Sequence, residues 1–355
     1  MNWWKRLRKN PLAQMAAILL LLFYTVAIAA GFVAPYDPYE SQTQGALLPP
    51  TEIYWTNDAG DWIGPHVYPT TLGSTDLETG DRELKVDRTQ PSKLQLFAQG
   101  DDYKFWGLIP TNRHLLGTDG PGRWNLLGTD ESGRDQLSRL IHGSRISLSI
   151  GMVGISISFP LGLIIGGISG YCGGWIDTLI MRITEVLMSV PGLYLLVALA
   201  SILPPQLTST QRFALIVAIM SFRSWAGLAR VIRSQVLSIK EREFVQAAQA
   251  MGGSDLYTIV RHILPQTASY VIVAATLAIP SFIVAESVLS LIGLGIQQPD
   301  PSWGNLLSIA TNASILVLHP WLIWSPAIII ISAVLSFNLL GDGLRDALDP
   351  RSVER

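Results

Sequence analysis

Apolar runs of membrane-crossing length alternate with polar stretches along this chain. Leu12 to Ala34 is uncharged and contains Ala-Ile-Leu-Leu-Leu-Leu-Phe. About 20 apolar residues span the hydrocarbon core of a bilayer, so this run predicts a first transmembrane helix. Further apolar runs cover Ile146–Ile176, Val186–Pro204, Thr267–Gly295 and Ile315–Leu340. Pro160 and several glycines interrupt the second helix, and Pro320 and Pro326 lie in the last, as membrane helices tolerate. A fourth span is weaker: Phe213 to Phe222 is apolar, but Arg223, Arg230 and Arg233 follow. The topology requires a crossing there, because the basic segment Arg230 to His262 must return to the cytoplasm. The expected fold is therefore all-α: a polytopic membrane protein with six transmembrane helices.

Between the first two spans, from Pro35 to roughly Arg145, the chain is rich in Asp, Thr, Gly and Pro and has no long apolar run. It follows an outward-going helix, so it forms a long extracytoplasmic insert. The alternations Glu83-Leu-Lys-Val-Asp-Arg and Lys93-Leu-Gln-Leu-Phe predict short strands inside it. Leu115-Leu-Gly-Thr-Asp-Gly-Pro-Gly-Arg123 recurs as Leu126-Leu-Gly-Thr-Asp-Glu-Ser-Gly-Arg134, two similar Gly-bounded turns too few to stack as a solenoid. Four expected regions follow: 1–40, the cytoplasmic N-terminus and first span; 41–140, the insert; 141–345, five helices and a cytoplasmic loop at about 240–265; and 346–355, a cytoplasmic tail.

Charge sets the orientation. Lys5, Arg6, Arg8 and Lys9 precede the first span and hold the N-terminus inside. Six crossings place both termini in the cytoplasm, together with Arg230, Arg233, Lys240, Arg242 and Arg261, and with Arg345, Arg351 and Arg355. Arg134, Arg139 and Arg145 fall outside, which a long translocated segment permits. Ala27-Ile28-Ala29 mimics a signal-peptidase site, but the apolar run is long for a cleaved signal and more spans follow.

Composition agrees with a membrane protein: 15% charged residues over 355, mean hydropathy +0.34, and eleven Trp. The net charge of −2 carries little information, because charges are segregated along the chain. Cys172 is the only cysteine, so no intrachain disulfide and no cysteine metal cluster can form; it reads as a small packed residue. The five histidines lack metal-ligand spacing, and His262 reads as a charge near a helix C-terminus. Basic residues do not gather into a nucleic-acid face. There is no Gly-x-x-x-x-Gly-Lys-Ser/Thr phosphate loop, so the chain carries no ATP site of that type.

The polar stretch Lys240–Pro265 is the most specific feature. Lys240-Glu-Arg-Glu-Phe-Val-Gln-Ala-Ala-Gln-Ala-Met consists of helix formers, with Phe244, Ala247, Ala248 and Met251 spaced as one apolar stripe. Gly252-Gly253 signals a C-cap, Ser254 can cap a second helix over Asp255–His262, and Pro265 should end that helix before the membrane. On pattern alone, the lesser alternative is an amphipathic connector lying on lipid headgroups.

This stretch resembles the coupling ("EAA") loop of the membrane subunits of ATP-binding-cassette importers. Ala247, Ala248, Gly252, Ile263, Leu264 and Pro265 fit the loop, while Gln246 stands where that family usually has Glu. Leu127-Gly-Thr-Asp-Glu-Ser-Gly-Arg-Asp-Gln-Leu-Ser-Arg139, Gly170-Tyr-Cys-Gly-Gly-Trp-Ile-Asp177, Gly293-Leu-Gly-Ile-Gln-Gln-Pro-Asp-Pro-Ser-Trp-Gly304 and Phe337 to Pro350 are similar to the C-type permease of dipeptide and oligopeptide importers. The resemblance covers most of 1–40 and 114–355, and the insert 41–113 is longer than in compact members. It implies no catalytic residue and no cofactor on this chain, with ATP and Mg held by partners. It implies four partners besides lipid: a second permease, two cytoplasmic ATP-binding subunits and an extracytoplasmic solute-binding protein, in the cytoplasmic (inner) membrane of a prokaryote. Glu243, Gln246, Ala247, Ala248, Gly252, Asp255, Ile263, Leu264 and Pro265 are then the ATPase-coupling residues. Related importers carry dipeptides, oligopeptides, nickel chelates or other small solutes.

Three residues are candidates for the translocation path. Glu286 is ionisable within the fifth span and so either packs helices or lines a pore, with Ser287 beside it and Arg223 a conceivable partner. Trp303, in Pro299-Asp-Pro-Ser-Trp-Gly, either shapes the outer mouth or anchors a rigid interfacial loop. An ion-coupled secondary transporter would instead show paired inverted repeats and several buried ionisable residues, which the sequence lacks. A membrane-anchored enzyme with its catalytic domain in residues 41–140 is a third reading, but that stretch lacks any recognisable catalytic constellation.

Overall fold

The computed structural model describes residues 3–75, 82–105, 107–204 and 206–349. Arg351 and Arg355 of the expected tail lie outside the described residues. In chain order, α1 (Trp3–Leu7), α2 (Pro11–Ile28) and α3 (Ala30–Val33) precede eight strands. These are β1 (Tyr54–Thr56), β2 (Trp62–Val67), β3 (Thr70–Thr75), β4 (Arg82–Val86), β5 (Ser92–Leu96), β6 (Gln99–Phe105), β7 (Ile109–Arg113) and β8 (Leu116–Thr118). Then come α4 (Gln136–Cys172), α5 (Gly174–Ser189), α6 (Gly192–Ser201), α7 (Ser209–Ile239), α8 (Glu243–Ala250) and α9 (Asp255–Thr258). A π turn (Ile259–Ile263) and a 3₁₀ turn (Leu264–Thr267) lead into α10 (Ala268–Leu291), followed by α11 (Trp303–Leu307), α12 (Ala313–Leu318) and α13 (Trp321–Leu348). Among the described residues, five helices are long and apolar enough to cross a membrane, or six if α5 and α6, bent by 82°, form one broken span. The chain is mostly helical, and the strands of the insert amend the all-α expectation.

Hydropathy misplaces several ends. α4 starts at Gln136 rather than Ile146, because Asp135 caps it: the Ser138 N–H donates to Asp135 Oδ2 at 2.7 Å. Its polar first turns are satisfied locally, as where Arg145 Nε donates to the Ala27 carbonyl at 2.8 Å. The doubtful fourth span is a 31-residue helix, opened by a capping box between Thr208 and Gln211. The last span begins at Trp321, and Ile315 belongs to the separate α12.

The chain divides into two compact units, the first comprising 1–20, 149–289 and 332–355. Its core includes Leu228, Ile232, Val236 and Ile239 of α7 with Val245 and Ile263, against which Phe159, Leu163 and Tyr171 of α4 pack. Glycines on α4 allow that approach. A Cβ at Gly162 would fall 3.0 Å from the Trp225 carbonyl oxygen, at Gly166 2.5 Å from that of Ala229, and at Gly170 2.7 Å from that of Arg233. This is a small-xxx-small stripe, the device by which membrane helices bring backbones together. Asp177 of α5 ties the same helices: it accepts from Arg233 Nε at 2.7 Å, from Arg233 Nη2, and from Ser169 Oγ at 2.5 Å.

The second unit comprises 21–148 and 290–331. It contains an antiparallel sheet ordered β1-β2-β5-β8 and two hairpins, β3-β4 and β6-β7. β4 and β5 coincide with the strands expected from alternation. The two repeats diverge. Leu116–Thr118 becomes β8, whereas in the second copy Asp130 accepts from the N–H groups of Ser132 (2.8 Å) and Arg134 (3.0 Å) and from Arg134 Nε (2.8 Å). Arg139 is fully buried; Nη1 donates to the carbonyls of Pro38 (3.0 Å) and Pro299 (3.1 Å), and Nη2 to Gln298 Oε1 (2.7 Å). Those bonds, together with the ion pair from Arg139 Nε to Asp130 Oδ2 at 3.3 Å, offset the cost of a buried cation.

Candidate functional site

The hairpin at Glu243–Pro265 forms as its punctuation dictates. Glu243 lies in the first turn of α8, where a carboxylate favours the helix dipole. α8 ends in a Schellman motif: Gly253 N–H donates to the Ala248 carbonyl at 3.0 Å and Gly252 N–H to that of Gln249 at 2.9 Å, with Gly252 at φ +86°. Ser254 caps α9, its Oγ accepting from the Tyr257 N–H at 3.4 Å. Pro265 does not end the helix as expected. The Leu264 N–H reaches back to the Ile259 carbonyl, a π register that takes up one residue just ahead of the N–H that proline lacks. The helical path then continues through Pro265 at the start of the 3₁₀ turn into α10.

The expected apolar stripe divides between two faces. Val245 and Ala248 are buried on the chain's own core, whereas Phe244, Ala247 and Met251 face out. Val245 and Ala248, three apart, share a face about 100° from that of Phe244, Ala247 and Met251. Ala248 thus packs within the chain's own core. Glu243, Gln246, Gly252, Asp255 and Pro265 are exposed, Ile263 is fully buried and Leu264 half-buried in the same core. Gln246 Nε2 donates to the Glu241 carbonyl at 3.3 Å, a bond that a glutamate of the same length, having no side-chain N–H, could not make. The outward face is apolar: Met251 is 82% exposed, and Leu256, Tyr257 and Val260 are more than half exposed.

Two residues overlooked in the sequence fasten the hairpin to α4. Tyr171 Oη donates to Asp255 Oδ1 at 3.0 Å, and Gln249 Nε2 donates to Tyr171 Oη at 2.8 Å. Tyr171 lies inside the Gly170–Asp177 motif, but nothing in its spacing indicates a partner some eighty residues away.

The path candidates separate. Glu286 is fully buried and Ser287 nearly so, Ser287 Oγ donating to the Ile283 carbonyl at 2.9 Å. A cavity of about 580 Å³ lies within the first unit, lined by Pro280, Ser281, Val284, Ala285 and Val288 of α10, and neither Glu286 nor Ser287 lines it. Helical periodicity turns those two to the other side. Arg223 and Ser224 of α7 and Asn338 of α13 supply polar lining. Trp303 is buried in the second unit, its indole N–H donating to the Leu140 carbonyl at 3.2 Å and its ring 6.1 Å from that of Phe23. It packs the loop it stands on. Among the described residues, no three His, Cys, Asp or Glu side chains gather as a metal site requires.

Residues 159–354 match the family model of the binding-protein-dependent transport system inner membrane component, and residues 2–50 match that of the N-terminal transmembrane domain of oligopeptide transport permease C. The chain belongs to that family of transport-system inner membrane components, and it is a transport subunit rather than an enzyme. More particularly, it is 32% identical over 348 residues to the dipeptide transport system permease protein DppC of Bacillus subtilis (strain 168), covering 98% of this chain and 84% of that protein. It is 32% identical over 357 residues to DppC of Lactococcus lactis subsp. cremoris (strain MG1363), covering 99% and 90%. With the oligopeptide transport system permease protein OppC of Escherichia coli (strain K12) it shares 42% over 179 residues, 50% of this chain and 57% of that one. A solved MetNI methionine ABC transporter in inward-facing conformations aligns with TM-score 0.45 at 17% identity, over 60% of this chain and 97% of that one.

Proposed function

We propose that this chain is the permease subunit of an ATP-driven importer that carries di- or oligopeptides across the cytoplasmic membrane. It pairs with a second, similar permease, two cytoplasmic ATP-binding subunits and an extracytoplasmic binding protein. Both termini and the Glu243–Pro265 hairpin face the cytoplasm, and the insert faces outward. The observation that carries this reading is the hairpin: an outward apolar face on helices bolted by Val245, Ile263 and Tyr171 to α4 and α7. Exposed apolar surface of this kind marks a docking site. Seated on an ATPase, the hairpin moves with the membrane helices behind it as one rigid body, so ATPase closure switches the side from which the path is reached. ATP must favour one arrangement over the other, since docking equally tight in both would shift nothing.

The test is uptake by the complex reconstituted with its partners, using a panel of di- to hexapeptides. ATP-dependent uptake is expected for at least one length, and transport of a nickel chelate in place of every peptide would move the chain to the alternative substrate class. Gly252→Asp examines the coupling half. It adds a charge and a Cβ at φ +86°, at a cost of about 1–2 kcal/mol in that conformation. It should abolish ATPase association while membrane insertion persists; undiminished association would remove the hairpin from the mechanism.

A further inference from the structure

We propose that Arg223 and the N-terminus of α6 form a carboxylate-binding subsite within the membrane-embedded cavity, which holds the C-terminal carboxylate of a transported peptide. The identity of the ligand rests on the peptide reading; the anion site itself does not.

Arg223 stands in the middle of α7, between Ser209 and Ile239. At 1.5 Å rise per residue it is about 21 Å from one end and about 24 Å from the other. A guanidinium at that depth is expensive unless it faces protein or water, and ionisable residues kept there mark substrate paths. Arg223 faces the cavity of about 580 Å³, a size suited to a small ligand. Its Nε is buried without a hydrogen-bond partner. None of the lining residues is acidic.

The broken helix adds a second positive feature. The Leu195 N–H donates to the Pro191 carbonyl at 3.2 Å, so the N–H groups of Gly192, Leu193 and Tyr194 stand ahead of the hydrogen-bond ladder. They carry the partial positive charge of the helix start. Glycine at 192 brings the guanidinium against it: a Cβ there would fall 2.6 Å from Arg223 Cζ and 2.9 Å from Nε and Nη1. A cation and a helix N-terminus pressed together repel each other, and an anion seated in the cavity alongside both relieves that repulsion. Interrupted membrane helices present their N-termini to anionic substrate groups for this reason. Ser224, Ser281 and Asn338 line the same cavity and can take the peptide's amide groups.

The experiment uses the assembled complex in phosphatidylcholine vesicles. Arg223→Gln should lower uptake of free-carboxylate peptides by at least about tenfold, the effect of one charge-assisted hydrogen bond, with little change for C-terminally amidated analogues. Arg223→Lys should recover part of the difference. Equal loss for both peptide types with assembly intact, or no loss for either, overturns the proposal. A second readout needs no transported peptide: Ser224→Cys in a Cys172→Ser background, treated with anionic and cationic thiosulfonate reagents of similar size. The anionic reagent should react faster, and Arg223→Gln should erase the preference; equal rates in the parent overturn the anion site. A parent complex that carries no peptide yet keeps the preference would sink the peptide reading and leave the subsite standing. A preference lost on adding phosphatidylglycerol would make a lipid phosphate the occupant and overturn the peptide assignment.

Discussion

The crossing of α4 and α7 carries the hairpin, and Gly166→Ala tests it. A Cβ at Gly166 would fall 2.5 Å from the Ala229 carbonyl oxygen, 2.9 Å from its Cα and 3.0 Å from its carbonyl carbon. All three atoms are backbone, so no rotamer change relieves the overlap. Carbon atoms pack best at about 3.5–4.0 Å, so the two helices must part by about 1 Å at this point. Overpacking costs about 1–3 kcal/mol. Alanine's better helix propensity offsets about 1 kcal/mol of that, leaving a net loss on the order of 1 kcal/mol. Gly227, on α7 itself, is the internal control, because a Cβ there meets nothing within 4 Å. The same substitution at Gly227 should stabilise by up to about 1 kcal/mol. Thermal unfolding of the isolated subunit in detergent should therefore move in opposite directions for the two variants. The close approach would be refuted if Gly166→Ala stabilised as much as Gly227→Ala.

Three further tests examine the other contacts. Burial raises the Asp135 carboxyl from its ordinary 3.8 to about 6, against hydrogen bonds from Ser138 that lower it. The folded state therefore holds this proton more tightly than the unfolded chain, and stability from this group rises as pH falls from about 6 toward 4. Relative to Asp135→Asn, which keeps an acceptor for the Ser138 N–H, the parent should gain up to about 3 kcal/mol on acidification from pH 7 to 4, read as the difference in unfolding midpoints; a constant difference would contradict the burial argument. Tyr171→Phe removes both bonds to the hairpin, worth about 1 kcal/mol each, and should speed amide hydrogen exchange over residues 249–258 while α7 stays protected. Arg233→Gln leaves Asp177 with Ser169 and should cost about 2 kcal/mol, and a double-mutant cycle with Asp177→Asn should show non-additivity if the pair is real.

Much of the site was legible beforehand because its signals are local. Gly252, Gly253 and Ser254 punctuate a helical hairpin by backbone chemistry that needs no distant partner, and the structure puts the caps where that chemistry requires them. Pro265 was misread for the same reason. Proline's missing N–H is a local rule, but the π turn that absorbs it depends on Ile259 and Ile263 being held in the core. Phe244, Ala247, Ala248 and Met251 looked like one stripe because spacing shows which residues share a surface, not which surface meets a neighbour.

By itself the amino-acid sequence determined the approximate positions of most of the long apolar helices, two of the insert's strands and the hairpin between α7 and α10. Each depends on residue type over a few consecutive positions. Only the tertiary structure decided that Gly162, Gly166 and Gly170 are a helix contact rather than tolerated breaks, that α5 and α6 meet at a bend of 82°, and that Arg223, not Glu286, lines the cavity beside α10. Those outcomes are set by the rotation of each helix about its axis. That rotation is fixed by side chains far apart in the chain, and no window along the sequence contains them.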